Sequence, residues 1–249
     1  MTSHETALRF EPGRRRARPR REWGRALRAL RLLLRAPDRT ELAFEVVQAL
    51  DPDVHERQLE LLLSRPEGRR IFAAGSSLRA ALSDRQALQR LPEGSFGRAY
   101  LDHLERHGLD PVKLVELGRD RLGGNSPDPG VRWMAERSEL THDLWHVLSG
   151  YGADPLGEAT LLLFSLAQAG GRGTAILALG ANLRVLRERG VGWIPYAFAA
   201  WRRGRRAACL RALPYEELLP LPLDEVRAAV GLEAPERVHP GGVARGSPV

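Results

Sequence analysis

The stretch Val131-Arg-Trp-Met-Ala-Glu-Arg-Ser-Glu-Leu140-Thr-His142-Asp143-Leu-Trp-His146-Val-Leu148 returns apolar side chains at spacings of three and four. That period is the turn of an α-helix and sets an apolar face toward a core. Asp128-Pro129 stands just before it. An aspartate there caps free N–H groups, and proline fits the first helical position. Gly150-Tyr151-Gly152 closes the helix, and Asp154-Pro155 opens a second one over Leu156–Ala169, which Gly170-Gly171 ends.

Working outward, the same spacing recurs in Leu42–Leu50, Val54–Leu63, Ala99–Leu104, Ala175–Leu186 and Ile194–Leu210. Only three Ile and six Thr are present, and Leu and Ala dominate the apolar content. These favour helix over strand, and no period-two alternation is sustained. The expectation is an all-α, single multi-helix domain over residues 23–233. A Gly/Pro/Ser/Asn linker at Leu122–Gly130 joins its two halves and is short enough to let them pack together. Residues 1–22 read as a disordered basic arm and 234–249, rich in Pro and Gly, as a mobile tail.

With 249 residues and 43% hydrophobic content the chain can bury a sizeable core. Its longest uncharged apolar stretch, Ala159 to Gly171, falls short of the roughly 20 residues that cross a bilayer. The lone Cys209 excludes an internal disulfide and a cysteine zinc site, so a metal must bind through His, Asp and Glu. The net charge of +7 is local. Residues 1–36 hold eleven Arg against three Glu, while the remainder is nearly neutral. Trp23 to Arg35 is a basic amphipathic stretch suited to an anionic membrane surface. A nucleic-acid arm lacks a recognition module, a transit peptide would be poor in acids, and a plain basic tail is the bland alternative. No secretory signal is visible. A cytoplasmic, peripheral position at the inner face of a membrane is expected, and the preponderance of Arg over the single Lys113 points to a GC-rich bacterial genome. The mitochondrial matrix side of the inner membrane is the alternative.

The chemistry centres on Thr141-His142-Asp143-Leu144-Trp145-His146. At about 100° per residue, His142, His146 and Asp143 project at about 0°, 40° and 100° on one face. Glu158 stands four residues after the cap Asp154, and the short Ser149–Asp154 turn makes the two helices antiparallel neighbours. Two imidazoles and two carboxylates suit Zn²⁺, and also Fe²⁺ or Mn²⁺. His103 and His107 are spaced alike, but Gly108 ends their helix and no further acid completes a site, so that pair reads as structural or exposed. Two rival enzymes fit less well. A His-Asp phosphohydrolase would leave His146 and Glu158 without a role, and a zinc peptidase needs Glu where Asp143 stands.

The motif His142-Asp143-x-x-His146, followed after eleven residues by Glu158, resembles the signature of the ubiquinone biosynthesis family known as coenzyme Q protein four. The likeness continues through Asp154-Pro-Leu-Gly-Glu158, Ala200-Trp-Arg-Arg-Gly204, Pro214-Tyr-Glu-Glu-Leu218 and Pro222 to Gly231. Upstream, Pro92 to Tyr100 resembles the family's Gly-x-x-Tyr stretch. The resemblance covers about residues 35–233. It implies His142, Asp143, His146 and Glu158 as metal ligands and catalytic residues beside an apolar lipid cavity. It also implies a polyprenylated 4-hydroxybenzoate substrate that loses its ring carboxylate, with hydroxylation at carbon 1 in some descriptions. The alternative it carries is a non-catalytic lipid-binding scaffold for other ubiquinone-synthesis enzymes, and a homodimer is compatible with either. Leu161, Leu162, Phe164, Leu166 and Gly173–Gly180 suit a prenyl tail or plain core. Arg202, Arg203, Arg205 and Arg206 suit headgroups, an anionic substrate or a solvated helix end.

Overall fold

The computed structural model describes residue 10, residues 20–36, 39, 41–110, 126–239 and 241–244. Most of the expected basic arm, Leu122–Asn125 of the linker, Lys113 and the last five residues of the tail lie outside these.

Among the described residues there is no strand, and fourteen α-helices follow one another. They are α1 Trp23–Arg35, α2 Glu41–Leu50, α3 Val54–Leu63, α4 Pro66–Ala74, α5 Leu78–Ser83, α6 Arg85–Arg90, α7 Phe96–His107 and α8 Pro129–Ser149. Then come α9 Pro155–Ala169, α10 Arg172–Arg189, α11 Trp193–Arg206, a 3-10 turn at Leu210–Ala212, α12 Tyr215–Leu218, α13 Leu223–Ala229 and α14 Pro235–Val238. The all-helical expectation holds, and the two halves form one domain.

Local chemistry explains the two central helices. Asp128 Oδ1 accepts from Gly130 and Val131 N–H, and Asp154 Oδ1 accepts from Leu156 and Gly157 N–H. Each cap satisfies donors that the first helical turn leaves free. Gly150 ends α8 at φ 74°, a left-handed conformation that other residues avoid. The chain then turns so tightly that a Cβ at Gly157 would run into the Gly152 carbonyl.

Helix α8 lies at the centre. The main core cluster joins Leu140, Leu144 and Leu148 of α8 with Phe96, Tyr100 and Leu104 of α7, Leu161 and Phe164 of α9, and Tyr215 and Val226 further on. On its other flank α3 runs along α8, with Leu59 and Leu62 packed on Met134. Helix α9 packs chiefly along α11 and α10 and meets α8 mainly at their shared corner. Its approach to α11 is close: a Cβ at Gly204 would clash with the Phe164 carbonyl. A separate cluster joins Ala26 and Ala29 of α1 to α2 and to Leu177 of α10.

Two departures from the sequence reading have physical causes. The run Ile194–Leu210 is not one helix: α11 stops at Arg206 and Ala207 is extended at ψ 151°. There Ala208 N–H donates to the Val230 carbonyl and Leu210 N–H to Gln168 Oε1, so tertiary partners replace helical ones. Beyond residue 233, Pro235–Val238 is helical and His239 is buried, with Tyr196 stacked on its ring at 3.9 Å. Neither feature has a periodic signal in so short a segment.

Candidate metal centre

Each side chain is placed by the corner between α8 and α9. The last turn of α8 is clamped from outside: Arg203 donates to the Ser149 carbonyl, and Arg227 to the Leu148 and Val147 carbonyls. Guanidinium groups at a helix C-terminus satisfy carbonyls that have no intrahelical partner and suit the dipole. Within that turn His146 is 2% exposed. Its Nδ1 lies 3.0 Å from the Tyr151 carbonyl oxygen and donates to it, and its Nε2 lies 3.1 Å from Glu158 Oε1, to which it donates when protonated. Fixing one ring nitrogen on a carbonyl is how a ligating histidine is oriented.

Glu158, in the first turn of α9, reaches both histidines, with Oε2 3.9 Å from His142 Nε2. His142, His146 and Glu158 each offer one ligand atom, and all three atoms lie within 4.8 Å of one another. Asp143 stands outside this group, with Oδ1 3.5 Å from His142 Nδ1. The geometry therefore brings three of the four expected residues together and sets the fourth beside His142. Glu158 and His142 are 41% and 47% exposed, so one side of the centre is open.

The charges follow the geometry. Burial disfavours a charged His146, but the Glu158 carboxylate and the Tyr151 carbonyl outweigh it and raise its pKa to about 9. Burial would raise Glu158, yet His146 and then His142 hold it down to about 2. Without metal the two form an ion pair, and the same donors suit a divalent cation once His146 gives up its proton.

The family assignment follows from the whole chain. The family described as coenzyme Q (ubiquinone) biosynthesis protein Coq4 matches residues 29–236. The chain belongs to the Coq4 family. It is 30% identical over 174 residues to the ubiquinone biosynthesis protein COQ4 homolog, mitochondrial, of Danio rerio, a match covering 68% of this chain and 61% of that protein. To the Homo sapiens protein of the same description it is 29% identical over 216 residues, covering 80% and 75% of the two chains. A crystal structure of a protein from Nostoc punctiforme has the same fold, with a TM-score of 0.63 at 18% identity, covering 86% of this chain and 100% of that one.

Several neighbours of the centre in this Coq4 chain escape sequence reasoning. His103, set aside with His107, supplies no ligand but is buried and stacks on His146, with centroids 5.4 Å apart at 20°. Burial and the neighbouring His146 lower its pKa to about 4. Tyr100, one turn earlier, is fully buried with its hydroxyl unpaired. Glu139 is raised to about 8, by burial and then by Asp143. The one sequence signal for Tyr100 and His103 is their shared face on α7, three residues apart. Of the four arginines on α11, Arg203 points inward, while Arg202 and Arg205 lie over Phe198 and Trp201 at the surface. Leu161 and Phe164 belong to the packed core, and Leu162 packs on the α1–α2–α10 cluster.

Proposed function

We propose that this Coq4 family member is a metal-dependent decarboxylase that removes the ring carboxylate of a polyprenylated 4-hydroxybenzoate precursor. The observation that carries this reading is the His142–His146–Glu158 group with its open side. Three protein ligands and an accessible face are the pattern of a catalytic rather than a purely structural site. A divalent ion there, zinc being the first choice for this donor set, would supply Lewis-acid polarisation of the carboxylate or phenolate. Asp143 is the fourth group of the centre, positioned against His142 Nδ1.

The reaction breaks the bond between ring carbon 1 and the carboxyl carbon. Carbon dioxide leaves, the electron pair stays on the ring, and a proton takes it up. Glu139 is one turn from His142 and Asp143 on the same side of α8, and its raised pKa keeps a proton on its carboxyl at neutral pH. The substrate's membrane origin fits the exposed apolar side chains Trp23, Leu27 and Leu34 on α1, Leu179 and Leu183 on α10, and Ile194 and Phe198 on α11. Arg28, Arg31 and Arg202 stand among them, a combination suited to an anionic bilayer. Among the described residues no helix is long and apolar enough to cross a membrane. The location we propose is peripheral: the inner face of a bacterial membrane, or the matrix side of the mitochondrial inner membrane, in keeping with relatives named mitochondrial.

A second reading, a scaffold for other ubiquinone-synthesis enzymes, is favoured by the way the centre ties α8 to α9, which otherwise meet mainly at a corner. Purified, metal-analysed protein incubated with the prenylated hydroxybenzoate separates the two. The enzyme releases carbon dioxide, and product mass tells whether hydrogen or hydroxyl replaces the carboxylate. A scaffold releases none.

A further inference from the structure

The His146 ring is held by the Tyr151 carbonyl, and Tyr151 stands between Gly150 and Gly152. With glycine on both sides, the local backbone does little to fix the direction of that carbonyl. Its anchor is the Tyr151 side chain, which is 1% exposed. The ring meets Phe164 edge to face with centroids 6.3 Å apart, and the Arg203 guanidinium lies over it at 5.4 Å. The hydroxyl crosses to the far end of the chain, where His239 Nε2 lies 3.0 Å away.

The segment after α13 brings His239 to this point. Pro235 abuts the corner so closely that a Cβ at Gly150 would lie 2.7 Å from its Cγ. Arg203 donates to the Glu233 and Ser149 carbonyls together, tying this segment to the end of α8. After the short α14, His239 turns inward, and Tyr196 of α11 stacks on its ring. The Tyr196 hydroxyl accepts from the Ala244 N–H, which pins the chain beyond. Burial and then Arg203 lower the His239 pKa to about 4, and burial pushes that of the Tyr151 hydroxyl up. At neutral pH the hydroxyl therefore donates to the Nε2 lone pair. For packing alone this bond is dispensable, since apolar rings at 151 and 239 would fill the same space at similar free energy. What the bond adds is direction. It fixes the Tyr151 residue, and with it the way His146 presents Nε2 to Glu158.

We propose that His239 is a positioning residue of the metal centre: by holding the Tyr151 hydroxyl it fixes the carbonyl that orients His146, so the C-terminal segment sets how tightly the centre binds metal. The proposal rests on the reading of His142, His146 and Glu158 as a metal centre. It adds to that centre a residue beyond 236, where the family match ends.

Zinc affinity by chelator competition, and the visible spectrum of the cobalt(II)-loaded full chain, test this. Wild type should bind a single ion per chain. His239→Phe keeps a ring to stack on Tyr196 but cannot accept, and Tyr151→Phe removes one hydroxyl. Each should weaken zinc by about tenfold, the scale of losses behind the ligands themselves, and both should change the cobalt bands alike. The double variant should be no weaker than either single one, because the same bond is missing in all three. His239→Gln, whose amide oxygen can accept from Tyr151, should return to within about threefold of wild type. Val46→Ala, a buried truncation in the α1–α2–α10 cluster, should lower the melting temperature yet keep wild-type zinc affinity and cobalt spectrum. Should His239→Phe fail to fold, Tyr151→Phe carries the test. Single variants that bind zinc as tightly as wild type, losses that add in the double variant, a glutamine no better than phenylalanine, or an equal loss in Val46→Ala would overturn the positioning role and leave the metal centre standing. A wild type that takes up neither zinc nor cobalt would remove the centre itself and the proposal with it.

Discussion

Two histidine pairs with identical spacing lie in this protein, and among the described residues only one gathers a group that could hold a metal ion. His142 and His146 on α8 meet Glu158, whereas His103 and His107 on α7 meet no acid among the described residues that completes a site. The difference comes from the third partner and from orientation. The α8 pair ends in a tight corner that returns Glu158 to it, and the Tyr151 carbonyl holds the His146 ring through Nδ1. The α7 pair ends at Gly108, and among the described residues no carboxylate joins it as Glu158 joins the α8 pair. Four-residue spacing puts two imidazoles on one helix face; the following helix decides whether they make a site.

The sharpest way to break this contrast is His146→Ala. It should abolish metal binding and cost roughly 2–4 kcal/mol, from the emptied volume and the Tyr151 carbonyl left without its donor. Metal analysis and urea unfolding read both. His103→Ala should cost about 1–3 kcal/mol as a buried truncation yet keep the metal. His142→Ala should do the opposite, losing the metal with a stability change below about 1 kcal/mol because its side chain is half-exposed. A His103 variant that lost metal while folded would place that residue among the ligands.

Acid unfolding sharpens the comparison further. His103 titrates near 4 in the fold against 6.5 free, so the unfolded chain binds more protons between those values. Its neutral form therefore contributes stability above pH 6.5 that is lost as the pH falls toward 4. His103→Gln should flatten that part of the stability curve; equal slopes for both proteins would contradict the assigned shift. The smallest effect is expected at exposed His107, where alanine should change stability by no more than about 0.5 kcal/mol and leave metal content alone.

Much of this was legible before any coordinates. Leu/Ala spacing, Asp-Pro openings and glycine stops marked the principal helices because those signals are local, and α3 matches its periodic run to the residue. The metal motif was legible because its residues lie within one helix and the next first turn. What escaped depends on distant segments: His103 against His146, Arg203 turned inward, α11 stopping where Val230 and Gln168 capture its backbone.

The most direct test of the proposed chemistry is single-turnover release of labelled carbon dioxide from a ring-carboxyl-labelled prenylated hydroxybenzoate, comparing wild type with Glu158→Gln. The variant keeps size and hydrogen bonding while removing the anion that joins the two histidines. Metal-loaded wild type should release label in stoichiometric amount, and folded Glu158→Gln should release at least about a hundredfold less in the same time. Equal release from both would remove Glu158 from the chemistry. No release from metal-loaded wild type, with normal ubiquinone production in cells carrying Glu158→Gln, would contradict the enzyme and leave the scaffold.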